Sequence, residues 1–136
     1  MIEVCDIIEL KTNTSSERLC FTTRYLVYAN FTFDLSVLSD NFSGTSHFCV
    51  RREQLEEMCS NLSNMYLKLL GSTILEDNDS DSFIKFEIEP NGWLIVSGQV
   101  GGTHEDHSVR FKFQTDQTSI PPFVQDFNEL LKHRYS

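Results

Sequence analysis

The chain has 136 residues, with 20 acidic against 11 basic side chains and a formal net charge of −9. This length fits a single domain, residues 1–136, which buries about two-thirds of its unfolded surface without help from a disulfide or a metal. The acidic balance argues against nucleic acid and against an anionic membrane as partners, because both require clustered Lys and Arg. Eleven Phe among 40% apolar residues argue against a disordered chain.

The first fifty residues follow a β pattern. Residues 2–11 are rich in Ile and Val, and residues 18–28 alternate with the period of a half-buried strand. The same alternation from Phe31 to Val37 leaves open whether one long bent strand or two are formed. Residues 40–44 predict a turn, and a short strand is expected at about 45–50.

Two segments have helical spacing instead. The first covers about residues 51–70, where apolar side chains form one stripe and Gly71 is expected to end the helix in a left-handed conformation. The second covers about residues 120–133, with Pro121 suited to its first turn. The apolar stripe of the first helix contains Leu55, Met58, Cys59, Leu62, Met65, Tyr66 and Leu69.

Four further strands are predicted between the helices, at 72–76, 83–89, 93–100 and 108–115. Asn91-Gly92 indicates a type I′ hairpin turn between the middle two. The expected fold is therefore α+β: a mainly antiparallel sheet of about seven to eight strands, with the two helices packed on one face.

Two polar segments resemble metal sites in part. Alternate acidic residues match the start of a calcium loop: Asp77, Asp79 and Asp81. Ser82 stands where that loop needs Gly, and Ile88 where it needs a bidentate Glu, so a solvated loop is the better interpretation. The loop that contains His104 and His107 offers two imidazoles and two carboxylates, but all four are sequence neighbours on an expected mobile loop. We expect no metal and no cofactor.

No residue set predicts nucleophilic catalysis. The four cysteines, Cys5, Cys20, Cys49 and Cys59, are scattered without a C-x-x-C pair, which favours buried reduced thiols. Cys49 lies near His47, but its apolar neighbourhood favours a core thiol. The glycine-rich run 98–102 leads into a strand and carries no cation, so Gly98 indicates a bulge or a close strand crossing. We therefore predict a protein without catalytic residues.

Two acidic loops are expected at the same end of the sheet if the four-strand meander is regular. Together they would produce a local negative field that steers a basic partner. The predicted partner-binding residues are Asp77, Asp79, Asp81, Glu105 and Asp106.

Several segments of the second half have a familiar order. Residues 69–76 (LLGSTILE) are followed by residues 83–88 (FIKFEI), 92–98 (GWLIVSG) and 109–118 (VRFKFQTDQT), and then by a helix bearing Phe. This order resembles the WapI-like immunity proteins of bacterial contact-dependent and polymorphic toxin systems. The similarity covers roughly residues 53–131, and its most distinctive piece is the Asp116-Gln117 step before the last helix.

The resemblance implies a small cytosolic protein that binds a cognate toxin domain, often a nuclease, without enzymatic activity or a cofactor. It carries over no toxin-contacting residue. The leading hypothesis is a cytoplasmic immunity protein that occludes one toxin, which is expected to be basic. Two alternatives remain: a small metal-dependent enzyme that uses His104 and His107, and a non-catalytic assembly subunit that pairs through an exposed sheet edge.

Overall fold

The computed structural model describes residues 2–3, 7–27, 29–102 and 107–132, and these residues form an α+β fold in which every strand pairing is antiparallel. Within them the strands are β1 (Ile2–Glu3), β2 (Ile7–Leu10), β3 (Glu17–Val27), β4 (Asn30–Ser39), β5 (Phe42–Arg51), β6 (Gly71–Glu76), β7 (Phe83–Ile88), β8 (Trp93–Gly101) and β9 (Ser108–Asp116). The helices are α1 (Arg52–Lys68) and α2 (Ile120–Leu131), and a 3-10 turn (Gln117–Ser119) precedes α2.

The strands divide into two sheets rather than one. In sheet A the order is β1-β3-β4-β5, and β2 also pairs with β3, while sheet B has the order β6-β7-β8-β9. The helix α1 connects the two sheets along the chain. The predicted α+β class, the antiparallel pairing and the two helices are confirmed.

In the first half of the chain, the structure shows the strand boundaries that the alternating sequence pattern left open. The segment from Glu17 to Ser39 is two paired strands, because Leu19 lies opposite Val37 and Phe21 opposite Leu35. The predicted single strand at 2–11 is divided between β1 and β2, and residues 4–6 lie outside the described residues.

Aromatic side chains of α2 join the two sheets in one core. The ring of Phe127 meets Phe21 of sheet A edge to face, with 5.2 Å between the ring centroids. Phe123 contacts Phe127 at 5.1 Å and Phe86 of sheet B at 5.8 Å. All four rings are fully buried, and each such pair adds about 0.5–1.5 kcal/mol beyond its area burial.

The end of α1 differs from the prediction. Leu69, and not Gly71, adopts the left-handed conformation that caps the helix, with φ 57°. Gly71 begins β6 with φ 116°, and a Cβ there would lie 3.0 Å from Cγ of Met65. The glycine is therefore needed where β6 passes the last turn of α1.

The hairpin turn between β7 and β8 also differs. The Gly92 N–H donates to the Glu89 carbonyl (2.8 Å), which places Pro90 and Asn91 at the centre of the turn. Neither has positive φ, and only Gly92 does (94°), so the predicted type I′ geometry is wrong. The ring of Pro90 holds its φ near about −65° and excludes the two consecutive positive values that type I′ requires.

Among the described residues, no helix is both long enough and apolar enough to cross a membrane.

Candidate functional site

The loop between β6 and β7 is anchored by Asp77, whose side chain is only 8% exposed. Its Oδ1 accepts the N–H groups of Cys49 (2.9 Å) and Asp79 (3.1 Å), and its Oδ2 accepts the hydroxyl of Ser80 (2.5 Å). Cys49 lies on β5, an edge strand of sheet A, so this carboxylate joins the loop to the other sheet. Asp77, which the sequence placed in a solvated loop, is therefore held inside the protein by its own contacts.

A second set of hydrogen bonds fixes the same loop to the start of α1. The Asn78 N–H donates to the Cys49 carbonyl (2.9 Å), and the Asn78 side chain donates to Oε1 of Gln54 (2.8 Å). That oxygen also accepts the Arg51 N–H (2.8 Å), while the Gln54 amide donates to the carbonyl of Glu76 (3.1 Å). The backbone of the loop is thus held at several points, although its outer side chains are free to meet solvent.

The loops after β6 and after β8 lie side by side at one end of sheet B. The hydroxyl of Ser82 accepts the Gly101 N–H (2.8 Å) and also lies 3.4 Å from the Gly101 carbonyl. A Cβ on Gly102 would lie 3.5 Å from Cβ of Asp81. This is the placement that a regular meander predicts. Asp79 and Asp81 are exposed there.

Part of the predicted contact set is not covered by the structure. Glu105 and Asp106 lie outside the described residues, as does His104, while His107 is described and exposed. Within the described residues, no group of three or more His, Cys, Asp or Glu side chains is placed to hold a metal ion.

The described cysteines, Cys20, Cys49 and Cys59, are free thiols, of which Cys59 is buried and the other two are half-buried. Desolvation raises the pKa of each, and raises that of Cys59 to about 12. The Sγ atom of Cys49 lies 3.7 Å from Oγ1 of Thr32. A reactive cysteine needs an electropositive setting that lowers its pKa, so these thiols are unsuited to nucleophilic chemistry. Cys5 lies outside the described residues.

Two open grooves flank α1. The one between α1 and α2 has a volume of about 670 Å³, and its charges are paired: Arg52 with Glu56 at 3.4 Å, and Lys132 with Glu129 at 3.1 Å. It therefore presents little net charge to a partner.

The other groove lies between α1 and β6 and has a volume of about 400 Å³. The described residues that line it include two carboxylates, Glu57 and Glu76, and no cation. Sequence reasoning missed this groove because it depends on how α1 lies beside β6. Ile74 is exposed beside the groove, but this exposure is visible only in the structure.

The Asp116-Gln117 step has a structural role. Oδ1 of Asp116 accepts the Thr118 N–H (2.9 Å), which caps the 3-10 turn before α2.

In a comparison with family models, residues 28–134 match the model of the immunity protein WapI-like family. This range runs from before β4 to beyond α2, and so adds β4 and β5 to the segments that carried the resemblance. No curated protein and no solved structure gives a significant match.

Proposed function

The chain belongs to the WapI-like immunity protein family, and on this premise we propose that it binds one cognate bacterial toxin domain and neutralises it by occlusion. The observation that carries the proposal is the extent of the match. It includes β4 and β5 of sheet A, all of sheet B and both helices, so it extends over most of the fold rather than one motif.

The proposed mechanism is non-enzymatic and needs no cofactor. An immunity protein acts by occupying the surface through which a toxin reaches its substrate, and this requires affinity and fit but no bond making. The raised pKa values of the thiols of Cys20, Cys49 and Cys59 are compatible with that mode of action. We place the encounter in the cytoplasm, where the family protects the producing cell.

The proposed contact face is the acidic end of sheet B. Asp79 and Asp81 are exposed on a loop whose backbone is fixed by Asp77, and we assign Glu105 and Asp106 of the neighbouring loop to the same face. A net charge of −9 favours a basic toxin, such as a nuclease that binds phosphates. In this proposal Asp77 fixes the backbone of the loop through its hydrogen bonds and does not itself contact the toxin.

Co-expression and pull-down against the toxin domain encoded beside the gene test the proposal. We expect rescue of growth, and binding that weakens between low and moderate salt, because surface charge pairs are screened. Continued toxicity together with no binding to any neighbouring toxin domain would overturn the proposed function.

A charge reversal locates the face. We expect Asp81→Lys to weaken toxin binding about three- to tenfold at low salt and to reduce its salt dependence. The matched control is Asp126→Lys, an exposed position on α2 that changes the net charge by the same amount. Equal effects of both substitutions would mean that only total charge matters, and would remove the acidic loops from the proposed contact face.

A further inference from the structure

One strand of sheet B has an open edge. Among the described strands, β6 pairs with β7 only. The Asp77 N–H donates to the Ser82 carbonyl (3.0 Å), and residues two apart in an antiparallel ladder repeat the same hydrogen-bonding state. Leu75 and Thr73 therefore point their backbone groups toward β7. Those of the alternate residues Ser72, Ile74 and Glu76 point the other way.

The side chain of Gln54 supports this assignment independently, because it donates to the Glu76 carbonyl from the α1 side. Within the described residues, the N–H groups of Ser72, Ile74 and Glu76 make no hydrogen bond in the protein. They face the groove of about 400 Å³ between β6 and α1. The groove thus has a wall of three unpaired backbone N–H groups, and the Glu76 carbonyl on the same edge is taken by the Gln54 amide. A row of edge N–H groups is the kind of surface that accepts an added strand, which would displace Gln54 from that carbonyl.

The two ends of this groove differ in chemistry. At the start of β6 the preceding residues Leu69 and Leu70 are 48% and 61% exposed, and Ile74 is 49% exposed. Toward the other end lie the carboxylates of Glu57 and Glu76, and the chain continues directly into the exposed Asp79. An extended segment that fits along β6 therefore needs apolar side chains at one end and basic side chains at the other.

We propose that β6 binds an extended segment of the toxin domain as an additional strand of sheet B, with basic side chains of that segment directed toward the acidic end of the groove. This inference rests on the proposed function and deepens it. Main-chain hydrogen bonds along β6 supply affinity, and the charged and apolar ends select the partner. The acidic loop continues from the end of β6, so the groove and the proposed contact face form one surface.

Hydrogen exchange of the full chain, free and bound to the neighbouring toxin domain, tests the inference with residue resolution. We expect the amides of Ser72, Ile74 and Glu76 to exchange rapidly in the free protein and to slow by at least about tenfold in the complex. The amides of Thr73 and Leu75, which already pair with β7, serve as internal controls and change little. An alternating pattern of this kind identifies strand addition, whereas general burial would protect neighbouring amides alike.

The other outcomes separate this inference from the proposed function. If the toxin domain binds and the three amides remain unprotected, strand addition is wrong and the immunity function stands. Protection of the same amides in the free protein would also overturn strand addition, since the edge would already be occupied. If no toxin domain binds, both proposals fail.

A proline substitution gives a second test. Ile74→Pro removes an outward N–H while leaving the β6–β7 hydrogen bonds in place, as prolines on edge strands do. We expect at least about tenfold weaker toxin binding from Ile74→Pro. Ile74→Thr, which keeps the N–H and a β-branched side chain, should bind the toxin within about threefold of the wild type. Similar binding by both variants would contradict a role for the backbone of this edge.

Discussion

Removing the Asp77 carboxylate is the sharpest test of the structure, because this one side chain joins the β6–β7 loop to sheet A. Asp77→Ala takes the acceptor away from the half-buried N–H of Cys49, from the N–H of Asp79 and from the hydroxyl of Ser80. All three hydrogen bonds are partly buried.

The magnitude follows from these contacts. Each of these three partly buried hydrogen bonds contributes about 1 kcal/mol. The free energy of unfolding should therefore fall by about 2–4 kcal/mol. With an unfolding entropy of about 2.1 cal/mol/K per residue over 136 residues, the expected fall in Tm is about 7–14 °C.

Denaturant and thermal unfolding followed by circular dichroism measure this effect. Asp81→Ala is the matched control, since it removes the same charge from the exposed part of the loop and should stay within about 0.5 kcal/mol of the wild type. Asp77→Asn keeps one acceptor oxygen and should fall between the two. A loss below about 0.5 kcal/mol for Asp77→Ala would refute the anchoring role that we assign to this carboxylate.

Two further predictions concern stability. Gly98→Ala should destabilise the protein by about 3 kcal/mol or more in denaturant unfolding, because its Cβ would lie 2.1 Å from the backbone oxygen of Phe83. Gly44→Ala is the control, since its Cβ would meet only side chains, at 3.3 Å or more. Equal losses of stability in the two variants would contradict this prediction. Burial and the charge of Asp40 raise the pKa of Glu17 above its ordinary 4.5, so the folded state binds this proton more tightly and the stability that Glu17 contributes falls as pH rises from 4.5 through the folded pKa. Above the folded pKa of Glu17, the Glu17→Gln variant should therefore be more stable than the wild type. If the two proteins differ in unfolding free energy by the same amount at about pH 3.5 and at about pH 7, this assignment is contradicted.

Patterns with a short period were predicted correctly from the sequence. In the sequence of β7, Ile84, Phe86 and Ile88 alternate with residues 83, 85 and 87 and so share one face, and all three are buried. A strand or helix needs only neighbouring residues to define its faces, so its burial pattern can be read locally.

Predictions based on one residue or one residue pair were wrong where a neighbouring residue restricts the backbone. Asn91-Gly92 is a strong hairpin pair, but Pro90 occupies a central position of the turn and excludes positive φ there. Gly71 is a common kind of helix terminator, but it is needed at the start of β6, beside Met65, and Leu69 caps α1 instead. In both places the backbone conformation depends on a neighbouring residue as well as on the residue that carries the local signal.

Contacts between distant parts of the chain could not be predicted from the sequence. Nothing local to Asp77 indicates that its carboxylate accepts the N–H of Cys49, which lies 28 positions away. The division into two sheets has the same origin, because alternation defines the faces of a strand but not its neighbours. The open edge of β6 follows from that division, and the groove beside it from the position of α1.

The anchoring of the acidic loop matters for the proposed binding because it lowers the cost of ordering. A loop that is free in solution loses conformational entropy when a partner fixes it, and this loss reduces affinity. Here Gln54 contacts Asn78 at the start of the loop and Glu76 at the end of β6, so one side chain holds the loop and the groove in a fixed relation. In the proposed complex the backbone of β6 accepts any extended segment, whereas Asp79, Asp81 and the exposed leucines discriminate between segments. Specificity among toxins should therefore change with the side chains at the two ends of the groove, while the edge that supplies the hydrogen bonds stays the same.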